Sequence, residues 1–169
     1  MSPAPPEGPA PPEGPAPPDG PAPPDGPAPA VPATLARARF AAARVGRLGT
    51  VGPKGEAHLV PCCFAVEGEH AYSAVDDKPK RHRRLQRLDD VARRGTATLL
   101  VDHYDEDWTV LWWVRVSGAA HLVDDPEVRG RAVRLLRDKY PQYAAHALDG
   151  PVVALRLEHW QAWSADGRV

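Results

Sequence analysis

Proline is distributed very unevenly along this chain, and its distribution divides the chain in two. Fifteen of the 21 prolines lie in the first 33 residues, and the other 136 residues hold six. Residues 5–28 are four hexads, PPEGPA twice and then PPDGPA twice, whose only apolar residues are proline and alanine. A segment with so little apolar surface cannot form a core. We therefore predict that residues 1–32 form a disordered Pro/Ala/Gly-rich tail and that residues 33–169 form one folded domain.

The predicted domain is slightly basic and has no sign of export. The tail holds four acids and no Lys or Arg, so the net charge of −1 for the whole chain becomes 21 − 18 = +3 for the remainder. No apolar run approaches the ~18 residues of a membrane span, and the N-terminus lacks the basic start and apolar core of a secretory signal. The two cysteines are adjacent, at Cys62 and Cys63, and cannot build a disulfide framework. These features predict a cytoplasmic protein that does not bind membranes.

Short apolar runs separated by turn residues predict an antiparallel sheet with flanking helices. Strands are expected at 47–51, 57–66, 70–75, 96–104, 109–123 and 151–157, and helices at 33–45, from Pro79 to about Gly95, and at 126–140. Tight turns join the first three strands, which predicts antiparallel pairing. The pattern predicts a mainly β fold, a small six-stranded antiparallel barrel, in which Gly118 forms a bulge or corner.

The segment Lys78–Leu85, KPKRHRRL, contains most of a basic cluster at the point where a strand is expected to lead into a helix. Cations at a helix N-terminus oppose the helix dipole, which is unfavourable unless an anion lies among them. A helix N-terminus with nearby guanidinium groups is a typical phosphate site. The segment therefore predicts phosphate binding, although a solvated basic helix would explain Arg83, Arg87 and Arg94 equally well.

Arg81 is the basic residue that a solvated helix explains poorly. If the helix runs through the segment, Arg81 lies on the same face as Leu85 and Leu88, which should face the barrel. A guanidinium on a buried face needs a partner. That partner is either an aspartate of the pair Asp76 and Asp77 or the phosphate of a ligand.

The run from Arg47 to Val123 resembles the pyridoxamine 5′-phosphate oxidase-like split-barrel flavoproteins, and within them the group that uses the deazaflavin coenzyme F420. The matching segments are Gly49–Val51, His58–Phe64, Lys78–Arg81 with Arg84 and Leu85, Leu99–Asp102 leading to Trp108, and Trp113–Val116 with Gly118. The resemblance implies a split barrel that forms a homodimer, with the cofactor in the groove between subunits.

The resemblance also implies which residues bind the cofactor. Lys80 and Arg81 would anchor the phosphate with help from Lys78 and Arg84, and the residues Pro61, Cys62, Cys63 and Phe64 would line the ring. We assign Trp108 to the substrate side of the ring because of its loop position. F420 carries more negative charge than FMN, and the additional arginines around the basic segment suit this charge. The codon usage of a GC-rich genome would also explain an excess of arginine. FMN is therefore the alternative cofactor.

The predicted function is that of an F420-dependent oxidoreductase, which transfers a hydride between the deazaflavin and a small organic substrate. No catalytic dyad is recognisable in the sequence, as expected when the cofactor carries the chemistry. The alternatives are an FMN-dependent oxidase of the same fold and a non-catalytic flavin- or tetrapyrrole-binding protein. Nucleic-acid binding is not expected, since the charge of the domain is small and the tryptophans do not interleave with the basic cluster.

Three other patterns are expected to be structural. Cys62 and Cys63 should point to opposite faces of a strand, which disfavours a redox pair. The acidic run 102–107 lacks the glycine and terminal glutamate of a calcium loop, and no second histidine stands at zinc spacing, so no metal site is expected. Asp102 could pair with a nearby arginine. Trp112 and Trp113 should face opposite ways, so that at most one belongs to the core.

Overall fold

The computed structural model describes residues 32–75 and 85–166. Its helices are α1 (Ala33–Ala42), α2 (Gln86–Arg94) and α3 (Pro126–Lys139), with short 3-10 helices at Trp108–Val110 and Pro141–Ala145. Its strands are β1 (Gly46–Val51), β2 (Ala57–Cys62), β3 (Ala65–Glu67), β4 (His70–Ala74), β5 (Thr96–His103), β6 (Trp112–Leu122), β7 (Val152–Arg156) and β8 (His159–Ser164). The prediction for the tail lies, apart from Pro32, outside the described residues.

All the described strand pairs are antiparallel, and together they form one curled sheet. The strand order is β2-β1-β5-β6-β7-β4-β3, and β8 pairs with β6. The long strand β6 makes the curl possible, because Trp112–Ser117 pairs with β8 and Ala120–Leu122 pairs with β7. Gly118 lies between the two pairings, where an added Cβ would come within 2.1 Å of the carbonyl oxygen of Arg156. The predicted split-barrel class and the corner at Gly118 are confirmed.

The core fills the concave side of the sheet. Alternate residues of β1, β5 and β6 point inward, among them Leu48, Leu99 and Val116. Helix α1 closes this side with Phe40, whose ring lies 5.2 Å from those of both Phe64 and Trp160. Helix α3 packs instead on β3 and β4. None of the described helices is long and apolar enough to cross a membrane.

The predicted strand 57–66 is divided into β2 and β3, which raises the strand count above six. The cause is Tyr140, at the end of α3. Its hydroxyl accepts a hydrogen bond from the Phe64 N–H (3.0 Å) and donates one to the Phe64 carbonyl (2.7 Å). Both backbone groups of Phe64 are therefore taken out of the strand ladder.

The remaining differences lie at element ends. Strand β8 was not predicted, although Trp160 and Ala162 point inward from it with the expected period of two. Strand β6 begins at Trp112 because Asp107 caps a 3-10 helix, accepting a hydrogen bond from the Thr109 N–H (3.0 Å). Trp112 packs against the core and Trp113 points the other way, toward Trp163 of β8, as predicted.

Candidate cofactor-binding site

Strand β2, strand β4 and helix α2 meet around Cys62. Cys62 is the last residue of β2 and lies opposite Gly46 of β1. Its thiol forms a hydrogen bond with Ser73 of β4 and is close enough to Arg87, in the first turn of α2, to feel its charge. The chain leaves β4 at Ala74 and enters α2 at Gln86. The basic segment therefore connects β4, which contacts Cys62, to α2, whose first turn carries a charge that lowers the pKa of Cys62.

The predicted phosphate ligands Lys78, Lys80, Arg81 and Arg84 lie outside the described residues. The described residues nevertheless show that the predicted start of the helix was wrong. Leu85 is the N-cap of α2 and has extended dihedral angles (φ −74°, ψ 116°), so the helix begins at Gln86. The helical spacing that placed Arg81 on the face of Leu85 and Leu88 cannot be carried back through an extended residue. The case for Arg81 therefore rests on the charge of the segment and on the resemblance.

The start of α2 has the chemistry that an anion needs. The first N–H groups of a helix have no partner within the helix, and Leu85 offers no side-chain cap. Arg87 adds a guanidinium in the first turn, and its side chain is half-buried. These donors adjoin the basic segment, so a phosphate there would meet backbone and side-chain donors together.

Cys62 is a structural thiol on the inner side of this junction. Burial raises its pKa above the ordinary value, and this effect outweighs the hydrogen bond with Ser73 and the charge of Arg87, which both lower it. A thiol with a raised pKa is protonated at neutral pH and is a poor nucleophile. Cys63 lies on the opposite side, against the cluster that contains Leu136 and Tyr140. Both cysteines are free, and the predicted opposite orientation is confirmed.

The part of the barrel interior beside Cys62 is too well filled to admit a cofactor. An internal cavity bordered by Cys62, Phe64 and Ser73 has a volume of about 10 Å³, which is no more than one water molecule occupies. Phe64 is itself fully buried (0% exposed). Its side chain therefore packs in the core, and the structure does not bring it to a surface where it could line a ring. A cofactor therefore cannot enter the barrel beside these described residues.

The other two predicted site residues lie on the surface. Pro61 is exposed on the outer side of β2, opposite Arg47. Trp108 is 63% exposed on the loop between β5 and β6. The strand register places that loop and Cys62 at the same end of the sheet. Pro61 and Trp108 are therefore accessible to a ligand at this end.

A buried carboxylate that sequence reasoning missed fastens α2 to the sheet. Asp90 is 1% exposed, and its Oδ2 accepts a hydrogen bond from Thr50 Oγ1 (2.9 Å) and lies 3.7 Å from His58 Nδ1. Its other oxygen forms no hydrogen bond within the described structure but lies 3.8 Å from the guanidinium of Arg93. The available signal was an aspartate between Leu88 and Val91, on the apolar side of the helix.

The outer face of the sheet carries a shallow groove. Its volume is about 410 Å³, and small residues such as Gly49, Thr98 and Ser117 form its floor across β1, β5 and β6. The described helices pack elsewhere, since α1 and α2 contribute to the core and α3 packs on β3 and β4. Beside the groove, Leu59 is 63% exposed, and Arg47 forms an ion pair with Asp102, as predicted.

Comparison with known proteins agrees with this architecture. The sequence profile of the pyridoxamine 5′-phosphate oxidase family matches residues 34–164. No curated protein has a matching sequence. A conserved hypothetical protein from Mycobacterium tuberculosis has a similar structure, with a TM-score of 0.65 at 20% identity over 80% of this chain and 85% of that chain.

Two proteins from Mycobacterium smegmatis have the same fold. One is described as a heme binding protein (TM-score 0.61, 16% identity, 79% of this chain and 57% of that chain). The other is described as an FAD binding protein (TM-score 0.55, 18% identity, 78% of this chain and 92% of that chain). With the profile match over most of its length and the split barrel described above, this chain belongs to the pyridoxamine 5′-phosphate oxidase family.

Proposed function

We propose that this protein is an oxidoreductase that binds coenzyme F420 and transfers a hydride between the deazaflavin and a small organic substrate. The observation that carries the proposal is the junction at Cys62, where the basic segment connects the end of β4 to the uncapped start of α2. An FAD binding protein among the structures with the same fold supports a flavin-type cofactor.

The residues of this chain would bind and orient the cofactor. Lys80 and Arg81 would hold the phosphate, with Lys78, Arg84 and the first N–H groups of α2 assisting. Pro61 and the backbone at the end of β2 would support the ring, and Trp108 would cover its substrate side. The bound cofactor supplies the hydride chemistry. A ring at the end of β2 would lie at the surface, where a substrate could reach it, because the barrel interior beside Cys62 is filled.

The choice of F420 rests on charge. F420 carries a phosphodiester and a glutamate tail, so it needs more cationic partners than FMN does. Arg87 is a candidate for this additional role, because it lies in the first turn of α2 and its charge lowers the pKa of Cys62. FMN remains the alternative cofactor of the same site. Heme is a second alternative, favoured by a heme binding protein of the same fold.

We further propose that the protein is a homodimer, with the outer face of the sheet as its interface. This face carries a groove floored by small residues and, beside it, the exposed side chain of Leu59. In a two-fold interface the same patch meets its own copy, so a ridge and a groove on one patch are complementary. The cofactor would then lie between a Cys62 junction and the neighbouring subunit.

The proposal is tested by titrating the purified full chain with F420, FMN and heme, and by adding reduced F420 with candidate acceptors. We expect saturable binding of F420, tighter than that of FMN, and recovery of the absorbance of oxidised F420 when an acceptor is reduced. Tight binding of FMN or heme together with no detectable binding of F420 would overturn the assignment of F420. Binding of F420 without turnover over a broad acceptor panel would indicate a carrier protein.

A further inference from the structure

A second groove lies between helix α1 and the first residue of β6. It has a volume of about 480 Å³ and is lined by Ala38, Arg39, Ala42, Ala43, Arg44 and Trp112. Its walls are mostly apolar, because three of the six residues are alanines and one is a tryptophan. This groove is separate from the shallow groove on the outer face of the sheet, because none of these residues lines the shallow groove.

The groove is rich in positive charge that no described carboxylate neutralises. The guanidinium of Arg39 lies 4.9 Å from the ring centre of Trp112, and that of Arg44 lies 4.7 Å from the ring centre of Tyr140. Neither arginine takes part in a salt bridge within residues 32–75 and 85–166. Both guanidinium groups rest on aromatic rings, where an anion could still approach them.

Lys139 is a third cation, close to Arg44 although it does not itself line the groove. Its Nζ donates a hydrogen bond to the carbonyl of Ala41 (2.7 Å) and lies 4.2 Å from the ring centre of Phe64. Burial and, after it, the charge of Arg44 together lower the pKa of Lys139 to about 8. The cations therefore repel one another, and an anion between them would relieve the repulsion.

The same chain contains a segment of matching chemistry. The first 31 residues hold four acids (Glu7, Glu13, Asp19 and Asp25), no Lys or Arg, and otherwise mainly proline, alanine and glycine. They end beside Pro32, which is the N-cap of α1, the helix that forms one wall of the groove. A segment without a core of its own can still bind weakly in an extended form to an aromatic-lined groove.

One extended hexad of the tail is long enough to span helix α1. The ten residues of α1 span about 15 Å at 1.5 Å per residue. One hexad in the polyproline II form spans about 19 Å at 3.1 Å per residue. Any of the four hexads can therefore turn back along α1 and lie in the groove. A short tether gives an effective concentration in the millimolar range, so a weak contact is enough.

We propose that residues 1–31 bind in the groove between α1 and Trp112 of their own chain, with prolines and alanines against the apolar wall and acids beside Arg39 and Arg44. This interaction does not depend on the proposed cofactor. The groove would be a specific partner of the acidic repeats. Because the four hexads are equivalent, the acid of any one of them could occupy it.

The test uses the full chain labelled with ¹⁵N. In a neutral-tail variant the four acids become amides (Glu7→Gln, Glu13→Gln, Asp19→Asn and Asp25→Asn). In a matched control they are exchanged for one another (Glu7→Asp, Glu13→Asp, Asp19→Glu and Asp25→Glu). We expect the amide signals of Ala38, Ala42 and Ala43 to shift in the neutral-tail variant and to stay unchanged in the control. The difference should disappear in about 1 M salt, where charges are screened beyond ~3 Å.

A second measurement follows the titration of Lys139 in the same samples. A nearby anion favours the charged amine, so the pKa of Lys139 should be lower in the neutral-tail variant than in the wild type or the control. Identical α1 signals and identical Lys139 titrations in all three proteins would overturn the proposal. Shifts that grow with protein concentration would also overturn it, because they would assign the contact to the tail of another molecule.

Discussion

Replacing Tyr140 by phenylalanine removes the one hydroxyl that holds the chain between β2 and β3. The Phe64 N–H loses its acceptor at 3.0 Å and the Phe64 carbonyl loses its donor at 2.7 Å. Phe64 is fully buried, so water cannot replace either partner. A lost hydrogen bond costs about 1 kcal/mol, and a buried group left without a partner costs about 1–3 kcal/mol. We expect Tyr140→Phe to lower the free energy of unfolding by about 3 kcal/mol.

Urea denaturation followed by tryptophan fluorescence measures this loss, and Tyr104→Phe is the matched control. Tyr104 is 75% exposed, so the same chemical change there should cost less than about 0.5 kcal/mol. If both variants unfold at the wild-type urea concentration, the hydroxyl of Tyr140 does not determine the break between β2 and β3. A changed slope of the denaturation curve would indicate a change in the unfolded state instead.

Three further predictions concern the corner of the sheet, the anchor of α2 and the charge of Lys139. Gly118→Ala should lower the free energy of unfolding by about 3 kcal/mol in urea denaturation, because its Cβ would lie 2.1 Å from the Arg156 carbonyl oxygen. Gly49→Ala is the control: the nearest atom there is 3.7 Å away, so the change should be less than about 1 kcal/mol. Thr50→Val should cost about 2 kcal/mol in the same assay, since it removes the hydrogen bond to the buried carboxylate of Asp90; an unchanged midpoint would contradict the anchoring role. The pKa of Lys139 is lowered from 10.5 to about 8, so this group binds more protons in the unfolded chain between these values and its contribution to stability rises as pH increases from about 8. Between pH 7.5 and 9.5 the free energy of unfolding should therefore change more favourably in the wild type than in Lys139→Met, and equal changes would refute it.

The general architecture could be predicted because it depends on local patterns. Alternating apolar residues and turn residues located most of the strands, and a glycine inside the long strand marked the corner at Gly118. The opposite directions of Trp112 and Trp113 followed from strand geometry alone. These features need only neighbouring residues, so the sequence contains the information directly.

The features that were missed depend on contacts between distant residues. Tyr140 forms its hydrogen bonds with Phe64, which lies 76 positions away. No local pattern in residues 57–66 therefore predicts the break between β2 and β3. Asp90 accepts a hydrogen bond from Thr50, 40 positions away. The helix pattern around Asp90 shows only an amphipathic helix, so the anchoring role could not be predicted from it. The start of α2 was placed too early because Pro79 is a common first-turn residue, while Leu85 is extended.

Strand β8 was missed for a different reason. Its residues alternate correctly, but the last strand predicted from the sequence ends at residue 157. Trp160 does pack on the core, beside Phe40, while Trp163 lies opposite Trp113 on the outer face. The period of two at residues 159–164 was therefore sufficient to predict this strand.

We propose that the segment Lys78–Arg84 binds a phosphate beside the start of α2. Parallel titrations of the wild type with FMN and with riboflavin test it most directly, because the two ligands share the ring and differ in the phosphate. We expect FMN to bind at least tenfold more tightly than riboflavin, and Arg81→Ala to remove most of that difference, since a charge-assisted hydrogen bond contributes about 1.5–3 kcal/mol. Equal affinity of the wild type for FMN and riboflavin would contradict the claim.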